Sequence, residues 1–424
     1  MPQKLYPRLT LALLTGLNML NYIDRSVLFS VQGLIQKEFK VSDAQIGFLT
    51  TTFFFFYIVA APFVGSLGDL FSRHKVIATG IFFWSGFTLL TAITHTYNEL
   101  LIRHVMVGVG EASYAAIAPT LIADLFPLER RGRMLSIFNV GLPVGVAIGY
   151  ILGGKLGDVY GWRMPFMLAG VPGFLLAVIL WMLPEPERGQ HDPGTSHTSH
   201  SRVPNLGQLF RELPALARNG AFLCGTLGLA MYTFAMGGLQ VWMPVFLTRV
   251  RELSLPKATS FFGTIVVING IVATLIGGWT GDRMLKKRRD AYYVLSGVAM
   301  LIAVPLMVAS IYQTGSFMFP AMFAAVFFLL LNTGPLNTAI VNSVGPGIRA
   351  TALAVNIFII HLLGDVPSPT VIGKISDKTH SLQKGFSVTF IAAALSGVIL
   401  LVGARYAPRL AGKAEQESLT TESA

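Results

Sequence analysis

From Leu9 onward the chain is a succession of apolar runs, each about as long as a bilayer's hydrocarbon layer is thick, joined by short polar loops. A helix needs about 20 apolar residues to cross that layer. Twelve runs reach the length, at residues 9–34, 44–70, 76–95, 98–126, 132–158, 163–183, 219–247, 257–284, 290–312, 315–343, 347–375 and 384–406. Each is expected to be a helix, because lipid offers no partner to an unpaired backbone group. The short alternating segments of a β-barrel are missing. The residues are 53% hydrophobic and 12% charged, against about 25% charged in soluble domains. A water-soluble domain is thereby excluded, and the reading is an all-α membrane protein with twelve transmembrane helices. The 30 Phe and 43 Gly fit it: Phe faces lipid and Gly lets helices approach closely.

A net charge of +11 raises nucleic acid as a partner. The Lys and Arg lie in short loops, where membrane orientation explains them, so no nucleic acid is expected. The single cysteine, Cys224, excludes an internal disulfide and a Cys-based metal site. No cofactor is expected. Met1 to Arg8 is short and basic, and the run after it is long enough to span, so no cleavable signal peptide is expected. The longest polar interval, 184–218, divides the runs six and six. It reads as a cytoplasmic linker between halves 1–183 and 219–406, with a disordered cytoplasmic tail at 407–424. His191, His197 and His200 in its HDPGTSHTSH stretch read as solvated rather than metal-bound. With both termini on one side, Lys and Arg concentrate there, which makes that side cytoplasmic. Short loops and the lack of an Asn-x-Ser/Thr acceptor fit a bacterial inner membrane.

The two halves carry an internal duplication. Gly65-Ser66-Leu67-Gly68-Asp69 ends the second run, and Gly278-Trp279-Thr280-Gly281-Asp282-Arg283 ends the eighth. Two six-helix halves related along the membrane normal resemble the architecture of major facilitator transporters. GSLGDLFSRHK is similar to that superfamily's signature G-x-x-x-D-R-x-G-R-K, departing from it at Leu70, Ser72 and His74. Asp69 can accept from a neighbouring helix N-terminus and pair with Arg73 or with a basic residue across the half interface, as a latch of one access state that Asp282 and Arg283 repeat in the second copy; an ordinary helix-terminal Asp is the alternative. Arg103, Gly108 and Gly110 match another superfamily motif, in which the Arg is linked to proton transfer. Arg103 snorkelling to the outer interface is the alternative. Gly145, Gly149 and Gly153 form a close-packing stripe on the fifth run.

The first run keeps an Asp24-Arg25 pair, and the fourth keeps Glu111. Each charge costs roughly 2.5–3.5 kcal/mol at a helix centre. About a dozen apolar residues in the first run supply roughly −5 kcal/mol of insertion energy, and the pair removes about as much. On a helix, Asn18, Asn21, Arg25 and Gln32 fall on one face with Asp24 on its flank, so this face must meet other helices or water. The pair has either a structural role or a place in a transport pathway; the unpaired Glu111 favours the second. If Arg25 approaches Glu111 in one access state and Asp24 in another, the proton affinity of the acids alternates.

NYIDR at Asn21 to Arg25, GEASYAAIAPTLIADLF at Gly110 to Phe126, PEPERG at Pro184 to Gly189 and RATALAVNIFIIHLLGDVPSPTVIG at Arg349 to Gly373 look like the spinster-like family of the major facilitator superfamily. The resemblance implies a secondary transporter for lysolipids or sphingolipid-type molecules, some members being proton-coupled. It implies that Asp24, Arg25 and Glu111 matter for transport. The expectation is therefore a monomeric, alternating-access carrier of an amphipathic lipid-like substrate among membrane lipids. Asp24 and Glu111 would handle protons. Arg25, Asn21 and Tyr114 would bind substrate, with Phe29, Phe53, Phe54, Phe55 and Tyr57 as candidates to accept a chain. His361 and Asp365, four apart before Pro367 and Pro369, form either a gate or a pair that fixes a bend. A carrier of small organic anions or drugs is the alternative, and a non-transporting receptor a further one. No nucleophile-base or metal-ligand constellation points to an enzyme.

Overall fold

The computed structural model describes residues 6–188, 206–345 and 348–407. The linker histidines His191, His197 and His200, and the tail beyond Ala407, lie outside them. Every regular element among the described residues is helical. The first six are α1 (Tyr6–Phe39), α2 (Asp43–Leu70), α3 (Arg73–Thr91), α4 (Tyr97–Leu125), α5 (Leu128–Tyr160) and α6 (Arg163–Met182). A short α7 (Leu206–Arg218) lies within the interval read as linker. Then come α8 (Gly220–Arg249), α9 (Leu255–Leu285), α10 (Ala291–Tyr312), α11 (Met318–Leu330), α12 (Thr333–Asn342), α13 (Arg349–Ile360), α14 (Ser368–Thr379), α15 (Leu382–Gly385) and α16 (Ser387–Gly403).

Two expected spans are broken. The run 315–343 divides into α11 and α12 at Asn332, whose side-chain amide donates to the Leu329 carbonyl at 2.7 Å. The run 347–375 divides at a π-helical segment, His361–Asp365, just before Pro367 and Pro369. Proline lacks the N–H that would continue the ladder. The wider π turn also changes the expected α-helical relation of His361 to Asp365.

Among the described residues, ten helical stretches are long and apolar enough to cross a membrane by length and composition, counting α11 with α12, α13 with α14 and α15 with α16 as one each. The first and third expected spans, α1 and α3, are not among them. The polar face of α1 lowers its apolarity, and α3 has only 19 residues, opening on Arg73-His74-Lys75.

The contacts define two compact units. One holds Met1–Val203, Gly237–Val267 and Asp365–Gly385; the other holds Pro204–Met236, Ile268–Gly364 and Phe386–Ala424. In the first, α5 presents Gly141, Gly145, Gly149 and Gly153 to the backbone of α1. A Cβ on Gly149 would stand 2.7 Å from the Ile23 carbonyl oxygen. The expected stripe is thus a seam that seats α1 against its neighbour without a layer of side chains. In the second unit, Ala273, Ala299 and Leu331 form a small apolar core backed by Leu295, Phe327 and Phe328.

Candidate functional site

The polar residues of α1 reach different neighbours. The Asn18 amide donates to the Phe138 carbonyl of α5 at 3.0 Å. Gln32 donates to the Val241 carbonyl of α8. Between them, Arg25 Nε donates to Glu111 Oε2 of α4 at 2.7 Å. Glu111 is completely buried, and only 11% of the Arg25 side chain is exposed. Asn21, one turn before Arg25, faces the same carboxylate.

Asp24 and Arg25 are adjacent in sequence but do not pair in space. Successive helical side chains point about 100° apart, so i and i+1 do not face each other. Both carboxylate oxygens of Asp24 are buried without a hydrogen-bond partner. Asp24 points instead towards α3, where Trp84 and Thr88 face it. Trp84 Nε1, Ser85 Oγ and Thr88 Oγ1 are buried and equally unpartnered. A buried unsatisfied polar group costs about 1–3 kcal/mol. Such a cluster is retained at a stability cost, as functional sites are.

Arg25 sits among four rings. Its guanidinium carbon lies 5.2 Å from the centroid of Tyr22, 5.1 Å from Phe53, 5.6 Å from Phe54 and 5.0 Å from Tyr57. Cation–π attraction of about 0.5–2 kcal/mol per ring offsets part of the desolvation cost of the guanidinium. Gly108 of α4 brings this wall close, since a Cβ there would stand 2.7 Å from the Phe53 carbonyl oxygen. Of the aromatic residues expected to accept a chain, Phe29, Phe53 and Phe54 are buried and Phe55 is exposed. Tyr114 was expected to bind substrate. The structure places it in the apolar core, with its hydroxyl donating to the Leu14 carbonyl and its ring edge-on to Trp84.

Asp24, Arg25, Thr88, Thr91, His104 and Glu111 line one cavity of about 10 Å³, closed by Phe53, Val107 and Phe166. His104 is buried and stacks on Phe53, ring centroids 4.9 Å apart. Sequence reasoning missed it. Its signal was available: a histidine two helical turns before Glu111, on the same side of α4.

Two charged clusters stand at helix ends in the same unit. At the N-terminus of α2, Asp43 accepts from Arg249 at 2.9 and 2.8 Å, from Gln36 at 2.6 Å and from Ser376 at 2.5 Å. Asp377 accepts from the backbone N–H groups of Asp43 and Ala44, each at 2.9 Å, where a helix favours negative charge. Sequence reasoning missed this cluster also. The Ser42–Gln45 capping box marked the helix start, but its partners lie more than 200 residues away.

At the other end of α2, the PEPERG segment clasps the signature loop. Arg188 donates to the carbonyls of Gly68 and Asp69, both at 2.8 Å, and of Phe71 at 3.1 Å. Glu185 accepts from the backbone and the guanidinium of Arg73, both at 3.1 Å. Arg73 also reaches Asp124 of α4 at 2.5 Å. The carboxylates that hold Arg73 are therefore Asp124 and Glu185. Asp69, its expected partner, is exposed and forms no ion pair among the described residues.

In the second copy Asp282 accepts from Tyr292 at 2.7 Å, and Arg283 lies over Trp279. Arg103 donates to the Leu90 carbonyl and to Thr94 at 2.8 Å, tying α4 to the end of α3. Asp365 is buried and stands within electrostatic reach of Tyr22 and Tyr57.

Helices long enough to span thus carry a buried ion pair in an aromatic cage, with charge clusters at helix ends. The Major Facilitator Superfamily model matches residues 14–369. Sphingosine-1-phosphate transporter SPNS2 of Danio rerio is 34% identical over 411 residues, 92% of this chain and 79% of that one. Protein spinster homolog 1 of Bos taurus is 35% identical over 408 residues, 91% and 75% of the two chains. Among solved structures, a bacterial homolog of the human lysosomal transporter Spinster, inward-facing and unoccupied, superposes with a TM-score of 0.81 at 25% identity, covering 95% of this chain and 96% of that one. A D-xylose-proton symporter shares the fold, with a TM-score of 0.75 at 18% identity, covering 94% and 97%. The chain belongs to the spinster-like family of the Major Facilitator Superfamily. Its fold is the all-helical fold of that superfamily, twelve membrane helices in two halves of six.

Proposed function

We propose that the chain is a proton-coupled carrier of an amphipathic, lipid-like molecule with an anionic or zwitterionic headgroup, of the lysophospholipid or sphingoid phosphate type. It works by alternating access, halves 1–183 and 219–406 rocking and joined on the cytoplasmic side through 184–218. It acts as a monomer with both termini in the cytoplasm of a bacterial cell. The observation that carries this reading is the Arg25–Glu111 pair inside the ring of Tyr22, Phe53, Phe54 and Tyr57.

The coupling follows from charge. While Glu111 is ionised it occupies Arg25. A proton on Glu111 removes that charge and frees the guanidinium, whose planar fork matches a phosphate. A phosphate on Arg25 in turn favours the protonated carboxyl beside it. The rings around Arg25 give the first methylenes of a chain an apolar surface. The sphingosine-1-phosphate named for the Danio rerio relative has this combination of anionic head and long tail.

The experiment is uptake into proteoliposomes under an imposed pH gradient. A lysophospholipid, a sphingoid phosphate, a small organic acid and a cationic drug are offered side by side. Gradient-driven uptake of either lipid, and not of the acid or the drug, supports the reading. Uptake of the organic acid alone sinks the lipid assignment.

A further inference from the structure

Asp24 differs from Glu111 in having no partner, although it lines the same cavity. The surrounding chemistry says what would complete it. A space of about 10 Å³ is close to the minimum for a single water molecule, which needs two to four polar partners. Of the residues that line it, the Asp24 oxygens and Thr88 Oγ1 accept, and the Thr88 hydroxyl and an imidazole N–H of His104 donate. The Arg25 guanidinium, which lines the same space, is the wrong neighbour for a metal cation. No group of three or more His, Cys, Asp or Glu side chains among the described residues fits one.

On the far side of this space stands His104, seven residues before Glu111 and so about 10 Å nearer the α3–α4 loop along the helix axis. We propose that His104 is a proton-relay residue, feeding Asp24 through one water held between Asp24, Thr88 and the imidazole. The inference rests on the proton-coupled reading above. The transfer balances without an external reagent. One ring nitrogen of His104 gives its proton to the water. The water passes a proton to an Asp24 oxygen, and the other ring nitrogen takes a proton arriving from the loop side. The charged and titratable groups that share the cavity with the imidazole are Asp24 and Arg25 on α1 and Glu111 on α4, with Tyr22 of α1 and Tyr57 of α2 packed on Arg25. α3 contributes Thr88 and Thr91, and α6 contributes Phe166. The fixed positive charge of Arg25 opposes a lasting imidazolium, so uptake at one nitrogen and release at the other are concerted. Stacking on Phe53 holds the ring in place for this exchange.

The test needs no substrate. Proteoliposomes on a solid-supported membrane receive a sudden acidification, and the transient current reads both the amount of charge displaced and its rate. His104→Gln and His104→Phe are expected to slow the transient at least about a hundredfold, the low end of what a positioned acid–base group contributes, with the displaced charge unchanged. The phenyl variant keeps the stacking and folding, and thermal unfolding of both variants checks this. A wild-type rate in either folded variant overturns the proposal. So does loss of charge in proportion to rate, which marks a structural role. So does a sodium jump at constant pH that displaces the same charge, which marks a cation site. The double variant Asp24→Asn with Glu111→Gln separates the two levels. If it displaces as much charge as wild type, the proton-coupled reading itself falls; if it displaces none, only the role of His104 is at issue.

Discussion

Arg25 adjoins Asp24 in sequence yet bonds to Glu111, 86 positions away, at 2.7 Å. Two acids therefore share one cavity in different electrical surroundings, one paired and one bare. That asymmetry generates a first prediction. Removing one partner of a buried pair costs about 3–5 kcal/mol because the other charge is stranded. Glu111→Gln strands a guanidinium that four rings still surround, whereas Arg25→Gln strands a second bare carboxylate. Arg25→Gln is therefore expected to lower the thermal unfolding midpoint more than Glu111→Gln. The double variant should lose less than the two losses added. Additive losses would mean that the pair is not coupled.

Asp43 at the start of α2 gathers Arg249, Gln36 and Ser376 around one buried carboxylate. Asp43→Asn and Asp377→Asn are each expected to cost about 1–3 kcal/mol. Added salt should not reproduce the full loss of Asp43→Asn, because a pair with one buried partner is screened less than an exposed one. Thermal unfolding at low and high ionic strength checks both points.

Glu185 offers a pH prediction at the membrane edge. Burial pushes its carboxyl up, but the hydrogen bonds from Arg73 outweigh burial and hold it below the ordinary glutamate value. A carboxyl lowered in the folded state gives its full stabilisation above the unfolded value of about 4.3, and loses it as pH falls through the lowered value. Wild type should therefore lose its stability advantage over Glu185→Gln on acidification through that range. Arg188→Ala, which uncaps the three carbonyls at the end of α2, should destabilise at every pH. Parallel pH profiles for wild type and Glu185→Gln would contradict the assignment.

The seam between α1 and α5 predicts a graded steric series. Gly149→Val drives its side chain into the Ile23 carbonyl, so it should abolish transport and lower the yield of folded protein. Gly16→Ala meets nothing within 4 Å and should leave both intact. Uptake assays and size-exclusion profiles of the two variants decide it.

Much of this was legible in the sequence, for physical reasons. Apolar length marked the spans, and the cost of charge in hydrocarbon singled out Asp24, Arg25 and Glu111 before any coordinates. Helix phase could have shown that Asp24 and Arg25 point apart, but not that Glu111 would stand opposite Arg25, since that depends on how α1 and α4 meet. Tyr114 was read as a substrate-binding residue, and its place in an apolar cluster with its hydroxyl on the Leu14 carbonyl depends on how α1, α3 and α4 pack, which the sequence does not state. The Asp43–Arg249–Asp377 cluster joins three distant stretches of chain, each unremarkable alone. The role of Glu185 and Arg188 was hidden likewise, because PEPERG reads as a loop until α2 and α3 are placed beside it. His104 was passed over because a single histidine in an apolar run carries no chemistry without its neighbours.

The central claim is that protonation of the acid facing Arg25 is tied to movement of substrate. Its most direct measurement is the number of protons entering with each lipid molecule, read from a pH dye sealed inside proteoliposomes while labelled lysophospholipid or sphingoid phosphate is taken up. Wild type should acidify the lumen in a fixed ratio to uptake, and Glu111→Gln should exchange lipid without acidifying it. Undiminished proton entry per molecule in Glu111→Gln would contradict the account.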